Sequence, residues 1–229
     1  VLGGLPILDV GSEEQKRTYL PKIANGELIF TLALTEPSAR YDAASIAATA
    51  RLQEDEYVIS GTKLFVPDAH IADYILVTAR TETEAKPEEG FTIFIVDAKS
   101  PGINYTLLPT IAGDKLCKID FDRVKVPKQN ILGQLNRGWS ETERIMHRAA
   151  VAKCCEMVGA AQQVLEMTLD YAKTRTQFGD PIGSFQAIQH HCANMAIDVE
   201  GSRFITYQAA WMLSEGMPCA KEVAMAKAW

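Results

Sequence analysis

The sequence predicts an α+β protein in which an antiparallel β-barrel or sandwich is followed by an up-down helical bundle. Three observations lead there. Across residues 27–136, short runs rich in Val, Ile, Phe, Thr and Tyr alternate with turn clusters, the pattern of strands joined by tight connections. From Trp139 onward, apolar residues recur every three or four positions, the helical period. No helix of useful length interrupts the strands and no GxGxxG occurs, so the chain does not read as a Rossmann unit.

The elements follow in order. "SEEQKRTYLPKIAN" (12–25) opens with Ser12 and places Gln15 three residues on, a capping box, with Gly26 as the stop. A short helix is expected there, bent by Pro21. "ELIFTLAL", "ATARLQ", "EYVIS", "ADYILVTA", "FTIFIVDA" and "CKIDFDRVKVP" are the strand runs, separated by EDE, Gly61, KPEEG and SPG. In the last run the apolar positions Ile119, Phe121, Val124 and Val126 change phase once, which predicts a bulge near Arg123. Val151, Cys154, Val158, Ala161, Leu165, Leu169 and Ala172 form one helical stripe. Phe185, Ile188, Cys192, Met195 and Val199, continued by Ala209 and Met212, form a second, for which Ser184 offers the N-cap. Gly216 and Pro218 end it, and "CAKEVAMAKAW" starts a third helix. The expected organisation is 1–26 as the tail of a helical domain, 27–136 as a β domain and 137–229 as the first part of a helical bundle.

Charge and composition narrow the function. With 29 acidic against 23 basic residues the net charge is -6, and no basic stripe is present, so nucleic acid is not an expected partner. No apolar run reaches the roughly 20 residues that cross a bilayer. Five cysteines without a CxxC pair point to reduced thiols and a cytoplasmic setting. Adjacent His190 and His191 diverge by roughly 100° on a helix, so no metal is expected.

Three segments carry candidate chemistry. "LALTEP" ends a strand in Thr35-Glu36-Pro37, which can aim backbone N–H groups and a hydroxyl at a ligand. "GTKLFVP" sets Phe65 just before a turn. "RTQFGDPIGSFQ" crowds a planar cation, an amide and an aromatic ring into a loop between two helices, where small turn residues would suffice.

With "FDRVKVPKQNILG", in this order and spacing, these segments resemble the acyl-CoA dehydrogenase family of FAD-dependent flavoproteins. The resemblance runs through essentially the whole chain, and it implies a partial chain: the end of an N-terminal helical domain, a complete β-barrel domain and about half of a C-terminal helical domain. It implies α,β-dehydrogenation of an acyl-CoA to the trans-2-enoyl-CoA, as in fatty acid metabolism, with an electron-transfer flavoprotein as acceptor and a homotetrameric assembly. By resemblance, Leu32, Ala33, Leu34 and Thr35 lie along the flavin ring, and Phe65 and Val66 cover its other side. Arg175 and Gln177 reach the FAD of a neighbouring subunit, Phe178 lies by its adenine half, and Phe185 and Gln186 make a further FAD contact. A guanidinium forks onto pyrophosphate, an amide gives directional hydrogen bonds and a ring stacks.

The chain also departs from the family pattern. Arg40, Tyr41 and Asp42 stand where relatives have Gly-Ser-Asp, so Tyr41 alters the substrate wall. Pro67 stands where a hydroxyl residue often neighbours the flavin. His147 and Ala150 replace an Asp and an Arg used near substrate, with Arg148 close by on a different helical face. Ala149 occupies the position that carries the base in a minority of relatives, so a carboxylate C-terminal to Trp229 is expected to remove the α-proton. Two alternatives stay open at this point: a non-catalytic subunit of a heteromeric dehydrogenase, and an oxygen-using acyl-CoA oxidase or flavin monooxygenase of the same superfamily.

Overall fold

The structure, a computed structural model, describes residues 1–38, 40, 42–82, 86 and 88–229. It divides into two compact units, Val1–Ile145 and Met146–Trp229.

The first unit opens with helix α1 (Gly4–Val10), which the sequence patterns did not reveal because seven residues, barely two turns, carry too little periodicity. Helix α2 (Glu13–Ala24) starts on the expected capping box, with Ser12 and Gln15 satisfying each other's backbone donors, and runs through Pro21. Gln15 also donates to the carbonyls of Gln129 and Ile131, tying the helix start to the end of the sheet.

Strands β1 (Phe30–Ala33), β2 (Thr49–Gln53), β3 (Glu56–Pro67), β4 (Tyr74–Arg80), β5 (Phe91–Asp97), β6 (Ile103–Leu108), β7 (Leu116–Pro127) and β8 (Ile131–Leu132) form one sheet. Its order is β6-β7-β3-β2-β4-β5-β8, with β1 also paired to β4. Most neighbours are antiparallel, but β1 and β2 both run parallel to β4, so the sheet is mixed rather than purely antiparallel. β3 continues through Gly61, where a break was expected, because Gly61 sits against Ala48 with no room for a side chain. β6 carries too little alternation to be read in advance, exposing Asn104, Thr106 and Leu107.

Alternation explains why β4 is buried on both faces. Ile75, Val77 and Ala79 point into one core, with Tyr57, Ile59, Phe94, Ile119 and Val124. Leu76 points into another, with Ile7, Leu32, Ile93 and Leu132, under the helices α1 and α2. Tyr57 of β3 meets Phe94 of β5 at 5.1 Å between rings although two strands separate them, so the sheet curls around the first core. The bulge expected near Arg123 is present: β3 and β7 shift register between Ile59/Gly61, and Arg123 has φ +52°.

The second unit takes the greater part of helix α3 (Gly138–Thr174), then helices α4 (Gln186–Ser214) and α5 (Ala220–Ala228). The stripe on α3 is buried as expected at Val151, Cys154, Val158, Leu165 and Ala172. Val151 and Cys154 pack with Ala209, Cys219, Val223 and Ala226. Among the described residues no helix is long and apolar enough to cross a membrane.

Candidate functional site

The site in the first unit begins where β1 leaves the sheet. β1 and β2 share one edge of β4, β1 alongside Tyr74–Val77 and β2 at Arg80, while β5 occupies the other edge. Between them Leu34, Thr35 and Glu36 depart from the ladder, and Pro37, lacking an N–H, cannot rejoin it. The gap is filled by Glu36, turned inward and 4% exposed, and by Lys63 of β3, which is 0% exposed. Lys63 Nζ donates to Glu36 Oε1 at 2.8 Å, Leu34 O at 3.2 Å and Thr78 Oγ1 at 3.3 Å, using all three of its donors. Glu36 accepts from Ala47 N at 2.7 Å and Ala48 N at 3.1 Å. Burial pulls the Lys63 pKa below the ordinary lysine value, and the Glu36 carboxylate opposes that shift.

Next to this gap β3 shifts register against β7 between Lys63 and Val66. Phe65 takes φ +53°, a left-handed conformation that costs a non-glycine residue about 1–2 kcal/mol. The irregularity turns Phe65 outward, 49% exposed, while Val66 returns to the core. Leu64 N donates to Thr35 O at 2.8 Å and Thr31 Oγ1 to Pro67 O at 2.6 Å. The fold thus brings Leu32, Ala33, Leu34 and Thr35 beside Phe65 and Val66. Leu32 and Ala33 bury their side chains in different cores, whereas Leu34 and Thr35 are half-buried.

In the second unit the loop after α3 is a miniature hairpin. Strands β9 (Thr176–Gln177) and β10 (Asp180–Pro181) pair antiparallel around Phe178 and Gly179, at φ +54° and +89°. Positive φ at both central residues is what a type I′ turn requires, and Gly179 meets it without strain. Ile182 N closes the base onto Arg175 O at 2.8 Å. Phe178 is 94% exposed and meets Phe185 edge-on at 6.2 Å. Arg175, Gln177 and Gln186 are exposed on the same stretch, and among the described residues Arg175 forms no ion pair. Ser184 is not the N-cap of α4. A 3-10 turn (Ile182–Ser184) precedes that helix, Ser184 Oγ bonds Pro181 O at 2.8 Å, and Phe185 takes the cap position without a side-chain bond.

Of the substrate-side candidates, Tyr41 lies outside the described residues, and Arg148 is half-buried on α3. Ala149 follows it with no proton-accepting group, and Glu141 is engaged by Arg144 at 2.6 Å. Sequence reasoning missed Lys63 and the inward turn of Glu36. The available signal was a lysine inside an otherwise apolar strand run, since a lysine is almost never fully buried unless paired.

Comparison with known proteins agrees with this geometry. Residues 31–124 match the family model "Acyl-CoA dehydrogenase, middle domain" and residues 136–229 match "Acyl-CoA dehydrogenase, C-terminal domain". The chain is 38% identical to the 3-(aryl)acrylate reductase of Clostridium sporogenes, over 98% of this chain and 60% of that protein. It is 35% identical to the CarC subunit of the caffeyl-CoA reductase-Etf complex of Acetobacterium woodii, over 99% of this chain and 60% of that protein. The solved structure of butyryl-CoA dehydrogenase from Megasphaera elsdenii superposes with a TM-score of 0.90 at 30% identity, over 97% of this chain and 59% of that one. This chain therefore spans about three fifths of the length of each. Two adjoining domain matches in family order, on the fold that solved members share, mean that the chain belongs to the acyl-CoA dehydrogenase family.

Proposed function

We propose that the chain is the flavin-holding part of an FAD-dependent enzyme that oxidises the Cα–Cβ bond of an acyl-CoA to the trans-2-enoyl-CoA. The observation that carries this reading is the β1 end, with Leu34 and Thr35 half-buried, lying against an outward-turned Phe65 in a strained conformation. Backbone peptides, a hydroxyl and a half-exposed aromatic on two segments joined by the Leu64 N–Thr35 O bond suit a flat heteroaromatic ring with polar edges. The exposed Arg175, Gln177 and Phe178 suit a pyrophosphate joined to an adenine.

FAD, when bound, would supply the hydride-accepting centre. The residues would divide the work of holding it. The main chain of Leu32–Thr35 and the Thr35 hydroxyl hydrogen-bond the ring edge, and Phe65 with Val66 covers its face. Arg175 would neutralise the pyrophosphate of the FAD held by a neighbouring subunit, with Gln177 adding a directional bond and Phe178 lying by its adenine half, and Phe185 with Gln186 would make a further FAD contact. Tyr41 and Arg148 belong to the substrate side. With Ala149 unable to accept a proton, the base is a carboxylate C-terminal to Trp229 in the full-length protein.

The relatives' names include dehydrogenases and reductases, and one enzyme catalyses both directions of such a step. We favour dehydrogenation, with an electron-transfer flavoprotein as acceptor; a subunit of an Etf complex stands among the relatives. Anaerobic addition of an acyl-CoA should bleach the flavin of the full-length protein but not that of an FAD-loaded chain ending at Trp229. Comparable bleaching in the shorter chain would place the base within these residues. An absence of bound FAD in the full-length protein would refute the reading altogether.

A further inference from the structure

We propose that the buried Lys63–Glu36 pair is a positioning device that sets the orientation of the flavin-facing peptides at the end of β1. The proposal rests on the flavin reading above and assigns these two residues a part in it.

The pair sits where β4 would otherwise lack a neighbour, between the end of β1 and the start of β2. A barrel does not need an ion pair there, since well-packed apolar side chains of similar volume fill such a place as well or better. What an apolar pair could not do is hold the backbone by hydrogen bonds. Lys63 draws the Leu34 carbonyl inward at 3.2 Å. The Leu34–Thr35 peptide is trans, so its N–H, that of Thr35, is turned to the opposite side, away from the ammonium. One residue on, Leu64 N takes the Thr35 carbonyl at 2.8 Å and fixes the next peptide plane in the same way. Thr78 Oγ1, itself within 3.5 Å of Ala33 O, completes the clamp.

The same lysine stands two residues before Phe65, at the start of the register shift that turns that ring outward. Lys63 is thus tied by one side chain to the strand end proposed to meet the edge of the flavin, and by its backbone to the ring proposed to cover its face. Glu36 accepts from Lys63 at 2.8 Å and is aimed by Ala47 N and Ala48 N, the residues leading into β2. Both side chains are buried and engaged by groups of the protein itself, so the role assigned to them is positioning.

The test uses full-length protein stripped of flavin and titrated with FAD, with thermal stability measured separately. Lys63→Met combined with Glu36→Met removes both charges and retains apolar volume, so it should recover much of the stability that Lys63→Met alone loses. It should nevertheless bind FAD about tenfold or more weakly, the scale of one lost charge-assisted hydrogen bond. The flavin that does bind should show a shifted midpoint potential, a readout that a merely structural pair would not move. Wild-type affinity and potential in the double variant would overturn the proposal. Should that variant fail to fold, Glu36→Gln carries the same test, because it keeps the shape and the acceptor for the Ala48 amide while removing the counter-ion. Wild-type protein that binds no FAD at all would sink the flavin reading and this inference together, and is distinguished from the variant result by its own titration.

Discussion

Lys63 shows how much one residue can carry. Its ammonium is fully buried and completely partnered, so replacing it leaves the Glu36 carboxylate in the interior with backbone donors alone. Lys63→Met is expected to cost about 3–5 kcal/mol of unfolding free energy, measured by denaturant titration. A stability loss below about 1 kcal/mol would mean that the carboxylate finds water or another partner. Tyr105 makes a second prediction at this scale. Its hydroxyl donates to the Ala98 carbonyl, and burial, reinforced by Asp97 and Cys117, pushes its pKa up to about 12 from 10.0. A raised pKa means that the folded state holds the proton more tightly than the unfolded one. The contribution is therefore complete below pH 10 and lost as pH rises towards 12. Burial raises the Tyr19 pKa as well, so alkaline titration followed by phenolate absorbance should lose one late-titrating tyrosine in Tyr105→Phe, and an unchanged curve in that variant would refute the assignment.

At the scale of the element, the hairpin β9–β10 spends conformational strain on an exposed ring. Phe178 occupies a left-handed turn position for which Asn is better suited, and 94% of its surface is open. Phe178→Asn should leave the folded protein as stable or raise its stability by up to about 1 kcal/mol, while weakening FAD retention. Loss of stability without any change in FAD binding would show that the ring serves the fold and not a ligand. The other irregular element, β3, follows the same logic. Its register shift at Lys63/Val66 interrupts a regular ladder and leaves Phe65 half out of the protein. The phase change near Arg123 was visible in advance because it displaces a row of apolar residues. The shift at Phe65 was not, because "LFV" reads equally well as continuous buried strand.

For the whole molecule the decisive feature is apolar surface. In the helical unit Met157, Val164, Met167 and Tyr171 on α3, with Ile197, Phe204, Tyr207 and Trp211 on α4, are all exposed by more than half. Large exposed apolar patches of this kind mark surfaces that other protein covers. The full-length protein is expected to be a homotetramer, with Arg175 serving a neighbour's cofactor. Analytical sedimentation checks this: a monomer that still holds FAD would contradict it, since Arg175 could then serve only its own subunit.

The order of classes along the chain, a short helix at 12–25, then strands, then long helices, followed from the sequence alone, because periods of two and of three to four residues are properties of local pattern. So did the capping box at Ser12, the bulge near Arg123 and the stripe on α3, each settled by residues within a few positions of one another. The family-bearing segments were legible for the same reason. Only the tertiary structure decided that β1 and β2 lie end to end on one edge of β4 in parallel, leaving a gap between them. Glu36 and Lys63, which fill that gap, are 27 residues apart and meet only when it exists. Lys63 alone hints at burial by its place in a strand run, but nothing local to either residue names the other as its partner. Strand pairing over long separations puts them together, and the cost of burying either without the other holds them there.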